Sequence, residues 1–295
     1  MTMQLKYWIE PDKLNWSELS ANPNAVDLLS HYDYRNRVNW FKLSSNPNPK
    51  AIDLLRTNLD NVNWFCLSKN PEAIPLLEEH PDKIVWETFS SNPNIADYLT
   101  GKPQLYKNVL WYFISAIPGA IDILYQEAIE NPTRIDWYQL SQNSRAIPLL
   151  TKNIDKINWR YFCQIKSPDI IPLLRQFPHR IDWTSLSSNP YAISLLKENP
   201  EKIDWYYLSN NTNPEILDLM ERFPEKINWS NFVINPLSTP LLSAPINDET
   251  INWFNLCLNT DPLAIQLLQE NPEKIDWFNF SSNTGIFEYT EYVFK

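Results

Sequence analysis

The sequence predicts an all-α solenoid of about twelve helix-pair repeats of 22–26 residues, with a capping segment at each end. Three observations predict it. Twelve of the 13 Trp fall in register, at positions 16, 40, 64, 86, 111, 137, 159, 183, 205, 229, 253 and 277. The residue two before each of these is Ile, Val or Leu, and Asp or Asn immediately precedes ten of them. Further along each unit, a cap residue followed by Pro leads into the apolar pattern A-I-x-L-L. Self-similarity at a fixed period of this length marks a repeat architecture, because one short unit cannot bury its apolar face alone.

The first helix of each unit opens at the Trp. Asp or Asn stands at the N-cap, where a side-chain oxygen accepts from an otherwise unpaired N–H. Trp, Leu and Ser then follow at i, i+3 and i+4, on one helical face, which predicts that Trp and Leu are core residues. The second helix opens on pairs such as Asn22-Pro23, Asn70-Pro71, Asn189-Pro190 and Asp261-Pro262. Proline suits the first helical position because its φ is preset and no N–H is needed there. A later proline, such as Pro81, Pro200 or Pro224, reads as the stop. Pro75, Pro148, Pro172 and Pro240 fall inside A-I-x-L-L, which predicts an irregular first turn and a regular helix starting near the Ile. Two-residue insertions, as at Asn46-Pro47-Asn48-Pro49, fall between the helices, where a loop tolerates them.

Neither helix would persist alone in water, so each must bury its stripe on the next unit. With helices 8–10 Å apart, twelve stacked units would extend on the order of 100 Å. The whole chain, 1–295, reads as a single repeat domain. Residues 1–13 form an N-terminal cap, with a truncated second helix through Trp8 and Ile9; 14–280 are the repeats, and 281–295 are a C-terminal cap.

Composition excludes several functions. Glycine occurs 3 times, where average usage near 7% predicts roughly 20. Gly101, Gly119 and Gly285 are too dispersed for a phosphate-cradling loop. The net charge of −10 disfavours nucleic acid as a partner. Cys66, Cys163 and Cys257 do not make a secreted disulfide framework, and the N-terminus lacks the apolar core of a signal peptide. A soluble, intracellular protein that does not enter membranes is expected.

Units of the form D-W-x-x-L-S-x-N-P-x-A-I-x-L-L-x-x-N-P-E-K-I, closing in I-F-x-Y-x-x-Y, resemble a repeat family abundant in giant DNA viruses of the mimivirus type and their relatives. Ile181 to Glu201, Ile203 to Ile216 and Ile286 to Tyr292 carry the resemblance. It implies a viral repeat scaffold, placed in the host cytoplasm or the virion, and brings no catalytic residues with it.

No catalytic residue, cofactor site or metal site is expected. Cys163 and Cys257 share a column that is Ser in nine repeats, which reads as a small packing position. Cys66 stands in a variable column, where exposure is possible, and His31, His80 and His179 are scattered. Two columns beside the Trp merit more attention. Three before it stands a cation in nine repeats: Lys13, Arg37, Lys83, Arg134, Lys156, Arg180, Lys202, Lys226 and Lys274. An acidic residue precedes most of these, so loop-edge ion pairs are expected rather than a phosphate-binding stripe. One after the Trp stands an aromatic residue in seven repeats: Phe41, Phe65, Tyr112, Tyr138, Tyr206, Phe254 and Phe278. This column serves either inter-repeat packing or a ladder of anchors for a partner protein. Val85 and Leu110 replace the polar caps of neighbouring units, and Tyr112, Phe113 and Ile117 follow, so an exposed apolar patch is expected near repeat 5. The expected function is a non-enzymatic scaffold binding a host or viral protein along one face. A structural or assembly component of a virus particle is the alternative, and a nucleic-acid-binding solenoid comes third.

Overall fold

The computed structural model describes residues 3–242 and 251–289. The outer residues of both expected caps, including Tyr292 of the closing motif, lie outside this range. An all-α repeat fold is what the chain adopts, apart from two three-residue strands. Numbering repeats 1 to 12 by their Trp, each first helix is four to six residues long and opens at that Trp, as in Trp16–Ala21, Trp64–Ser68 and Trp183–Ser187. The expected caps are in place: Asn63 Oδ1 accepts from Cys66 N at 2.9 Å and Asp182 Oδ1 from Ser185 N at 2.8 Å.

The second helix is composite. Asn70 accepts from Glu72 N, a 3-10 turn covers Pro71–Ala73, and the α-helix runs over Ile74–Glu79 with Pro75 in its first turn. Pro148 and Pro172 sit the same way in Ile147–Thr151 and Ile171–Gln176. The irregular first turn expected from these prolines is therefore a 3-10 turn, and the ring occupies a position whose N–H has no helical partner to lose. In two of the repeats with a two-residue insertion the helix starts directly on proline, as in Pro49–Arg56 and Pro262–Glu270, whereas in repeat 9 it starts at Ile216, two after Pro214. The later prolines do more than stop a helix. Pro81–Lys83, Pro178–Arg180 and Pro200–Lys202 are 3-10 turns that carry the basic column.

Two compact units divide the chain: Met1–Thr88 with Ser238–Lys295, and Phe89–Leu237. In both, the fully buried position is the residue three after the Trp, from Leu19 to Phe280. The Trp itself is only half-buried in all twelve repeats, which corrects its assignment to the core.

Two polar columns join successive repeats. The Ser four after the Trp donates to the Trp carbonyl one turn back and accepts from the N–H of the next repeat's cap. Ser20 bonds Trp16 O at 2.7 Å and Asn39 N at 2.9 Å; Ser115 bonds Trp111 O at 2.8 Å and Asp136 N at 3.0 Å. Six after the Trp, a buried Asn donates both amide hydrogens to carbonyls of the preceding repeat. Asn46 Nδ2 reaches Ser20 O and Asn22 O, each at 3.0 Å; Asn211 reaches Ser187 O at 2.9 Å and Asn189 O at 3.0 Å. Its Oδ1 meanwhile accepts from the N–H two residues on, Asn48 N at 3.0 Å and Asn213 N at 2.9 Å, so every polar atom of the amide is paired, as burial demands.

Within the first compact unit, repeat 12 meets repeat 1 through this same set. Asn15 N donates to Ser281 Oγ at 2.8 Å, and Asn22 Nδ2 to Ser281 O at 3.2 Å and Asn283 O at 3.1 Å. Asn24 Nδ2 reaches Thr284 O at 3.1 Å, as Asn48 Nδ2 reaches Pro23 O. Strand β1 (Met3–Leu5) pairs antiparallel with β2 (Phe287–Tyr289), Met3 facing Tyr289, and Trp8 packs on Phe280 at 5.8 Å. The leading segment is thus a strand followed by a 3-10 turn at Pro11–Lys13, not a truncated helix. The first and last repeats are neighbours instead of standing on the order of 100 Å apart.

Candidate interaction face

The basic column has a structural use. Arg37 lies over the Trp16 ring with 5.1 Å between guanidinium carbon and centroid, and Lys13 over Trp277 at 5.6 Å. Arg134 covers Trp111 at 5.3 Å, Lys156 covers Trp137 at 4.3 Å and Lys274 covers Trp253 at 5.5 Å. Each cation comes from the repeat after its Trp, or from repeat 1 onto repeat 12. The ring face attracts the cation electrostatically. The expected loop-edge ion pairs are present beside the stacking: Arg37 reaches Asp12 at 2.8 Å, Lys13 Glu10 at 3.1 Å and Lys83 Asp82 at 3.6 Å. The stacking also explains the half-buried Trp: one edge meets the core while the outer face meets a cation or a ring from the connecting turn, such as Phe177 on Trp159 or Phe223 on Trp205.

The aromatic column projects outward. Phe41, Phe65, Phe254 and Phe278 in the first unit, and Tyr112, Tyr138 and Tyr206 in the second, are each 49–56% exposed. The helix explains this: with Leu at i+3 and Ser at i+4 directed inward, the residue following the Trp lies away from that stripe. In the second unit the ladder widens through the next column, the one that holds Phe113. Tyr112 meets Phe113 at 5.3 Å, Tyr138 meets Tyr161 of the following repeat at 4.5 Å, and Tyr206 meets Tyr207 at 5.3 Å. The signal was available: residues two after the Trp are aromatic in repeats 5, 7 and 9. The Tyr161 phenol is raised above its ordinary range, first by the hydrogen-bonding hydroxyl of Tyr138.

Repeat 5 delivers part of the expected patch. Leu110 and Phe113 are exposed, Leu110 by 43%, and Leu110 makes no side-chain cap bond to the helix Trp111–Ala116. Ile117 does not belong to the patch: it is buried, and its carbonyl accepts from Asn143. Val85 is half-buried with its N–H on Ser68 Oγ.

The cysteines are packing residues. All three are buried, Cys66 included. Burial pushes the Cys163 thiol up to about 12 and the Cys257 thiol to about 11. Cys257 Sγ takes over the serine's role, accepting from Asp276 N at 3.3 Å. His80 rests on the Trp64 ring and His31 beside Asp33. Among the described residues, no group of three or more His, Cys, Asp or Glu is placed to hold a metal ion, and no helix is long and apolar enough to cross a membrane.

No protein-family model matches the chain, and neither a curated protein nor a solved structure is significantly similar to it.

Proposed function

We propose that the chain is a non-enzymatic scaffold that binds a partner protein along the exposed face of its first helices. One observation carries this reading: the aromatic column is repeated in both compact units and is held about half in solvent, a costly arrangement for rings that could have been buried. Aromatic anchors of this type dominate protein–protein binding energy. The polar columns are consumed in joining repeats and five of the nine basic-column residues cover Trp, which together with the net charge of −10 favours a protein over nucleic acid as partner. The resemblance of the repeat to that of giant DNA viruses supports a viral setting, with the host cytoplasm or the virion as the place of action.

The test is affinity capture from infected cells with the wild-type chain and with Tyr112→Ala/Tyr138→Ala/Tyr206→Ala. These exposed positions leave the fold intact by circular dichroism, and the specific partners recovered with wild type are absent from the variant eluate. Recovery of the same partners by both chains would refute the assignment of the face.

A further inference from the structure

We propose that the first-helix face of repeats 5 to 9 takes an extended, cationic polypeptide segment in which Arg recurs at about every third residue. This rests on the interaction face described above and specifies its occupant.

The face is continuous within the second compact unit. Asp136 N is bonded to Ser115 Oγ at 3.0 Å, joining repeats 5 and 6; Tyr138 and Tyr161 join 6 and 7. Gln164 Nε2 donates to Ser185 Oγ at 3.2 Å, joining 7 and 8, and Thr184 Oγ1 donates to Asp204 Oδ2 at 3.5 Å, joining 8 and 9. Along it, rings alternate with carboxylates: Tyr112 and Phe113, then Asp136 with Tyr138 and Tyr161, then Asp182, then Asp204 with Tyr206 and Tyr207.

The charge on this face favours a cation. Asp136, Asp182 and Asp204 each use Oδ1 to cap a helix; all three residues are half-buried, and Asp204 Oδ2 also accepts from Thr184 Oγ1. Arg160 is the sole basic residue in the cap column and the two columns after the Trp across these repeats. Six other repeats satisfy the same cap with neutral Asn: Asn15, Asn39, Asn63, Asn158, Asn228 and Asn252. The helix therefore does not need the negative charge, which leaves it for a ligand. A guanidinium matches both elements at once, lying flat on a phenol ring while its N–H groups reach a neighbouring carboxylate. Arg suits this better than Lys because its donors are fixed in one plane.

Spacing sets the period. Neighbouring packed helices stand about 8–10 Å apart, and an extended or polyproline II chain advances about 3.1–3.3 Å per residue. One repeat therefore corresponds to about three residues of ligand. A free-running Arg-x-x series would place a side chain on each repeat.

The experiment is fluorescence anisotropy with labelled fifteen-residue probes at low ionic strength. The probes are five Arg-Pro-Pro triplets, five Glu-Pro-Pro triplets, and a peptide of the first composition with its five Arg contiguous. The Arg-Pro-Pro probe is expected to bind, with the contiguous peptide at least tenfold weaker and the Glu probe showing no binding. Asp136→Asn/Asp182→Asn/Asp204→Asn, which installs a cap this protein already uses, is expected to weaken binding tenfold or more. The control Asp155→Asn/Glu201→Gln/Glu225→Gln removes the same charge from exposed connecting turns of this unit and is expected to bind as wild type. Absence of binding to the Arg-Pro-Pro probe overturns the proposal, as does equal loss in the two variants or equal affinity for the Arg-Pro-Pro and contiguous probes. In those cases the capture experiment with the Tyr112, Tyr138 and Tyr206 variant decides separately whether the face binds protein. Loss of partners there leaves the face standing with a different occupant.

Discussion

A single asparagine column does three jobs at once, and its chemistry sets the most demanding positions in the chain. Asn46 is fully buried, donates to two carbonyls of the preceding repeat and accepts from Asn48 N at 3.0 Å. Asn46→Ala leaves Ser20 O without its amide donor, takes one of two donors from Asn22 O and removes the acceptor of Asn48 N, and is expected to cost about 2–3 kcal/mol in chemical denaturation. Ser is not interchangeable there, because one hydroxyl cannot donate twice. At Cys163 and Cys257 burial favours the neutral thiol in the folded chain. Their contribution is complete below the ordinary thiol value and is lost as pH rises toward about 12 and about 11. Stability is therefore expected to decline above about pH 9. A thiol reagent at pH 8 is expected to label these two only when denaturant is added, and rapid labelling of the native protein would contradict their burial. The Trp column stood out in the sequence, but its half-buried placement did not, since the cation or ring that covers it comes from a connecting turn distant in sequence. The exposure of Tyr138 was likewise open between packing and binding until the inward stripe was located.

At the scale of elements, caps and prolines carried most of the legible information. Asp or Asn before Trp, and Asn before Pro, correctly placed helix starts such as Trp183 and Pro190. The 3-10 segments were less visible. Pro200–Lys202 is too short for any apolar period, so its proline read only as a stop. The missing cap in repeat 5 makes a direct prediction. Leu110→Asn supplies a side-chain acceptor to the helix Trp111–Ala116 and is expected to stabilise by about 0.5–1 kcal/mol, seen as a rise in Tm. An unchanged or lower Tm would mean that Leu110 contributes apolar packing worth more than the cap. The strands at the two ends escaped notice for a different reason: a three-residue pairing between Met3–Leu5 and Phe287–Tyr289 depends on partners nearly three hundred residues apart.

For the molecule as a whole, the chief consequence is that the repeat bonding pattern runs across the chain ends. Repeat 12 retains Ser281 and Asn283, residues whose hydroxyl oxygen and carbonyls in other repeats accept from the repeat that follows. In the structure they serve Asn15 and Asn22. That retention was the readable hint that repeat 1 follows repeat 12. If the junction is energetically like any other, Asn22→Ala should cost the same as Asn46→Ala, both being fully engaged ladder residues. The most direct measurement is a cross-link between the paired strands. Gln4 and Glu288 face each other in register, and directly opposed antiparallel residues stand about 4.5–5.5 Å apart at Cα, within disulfide range. Oxidation of Gln4→Cys/Glu288→Cys at micromolar concentration should give a fully cross-linked monomer on non-reducing electrophoresis, with a higher Tm than its reduced form. Uncross-linked chains, or disulfides formed only between molecules, would contradict the meeting of the first and last repeats.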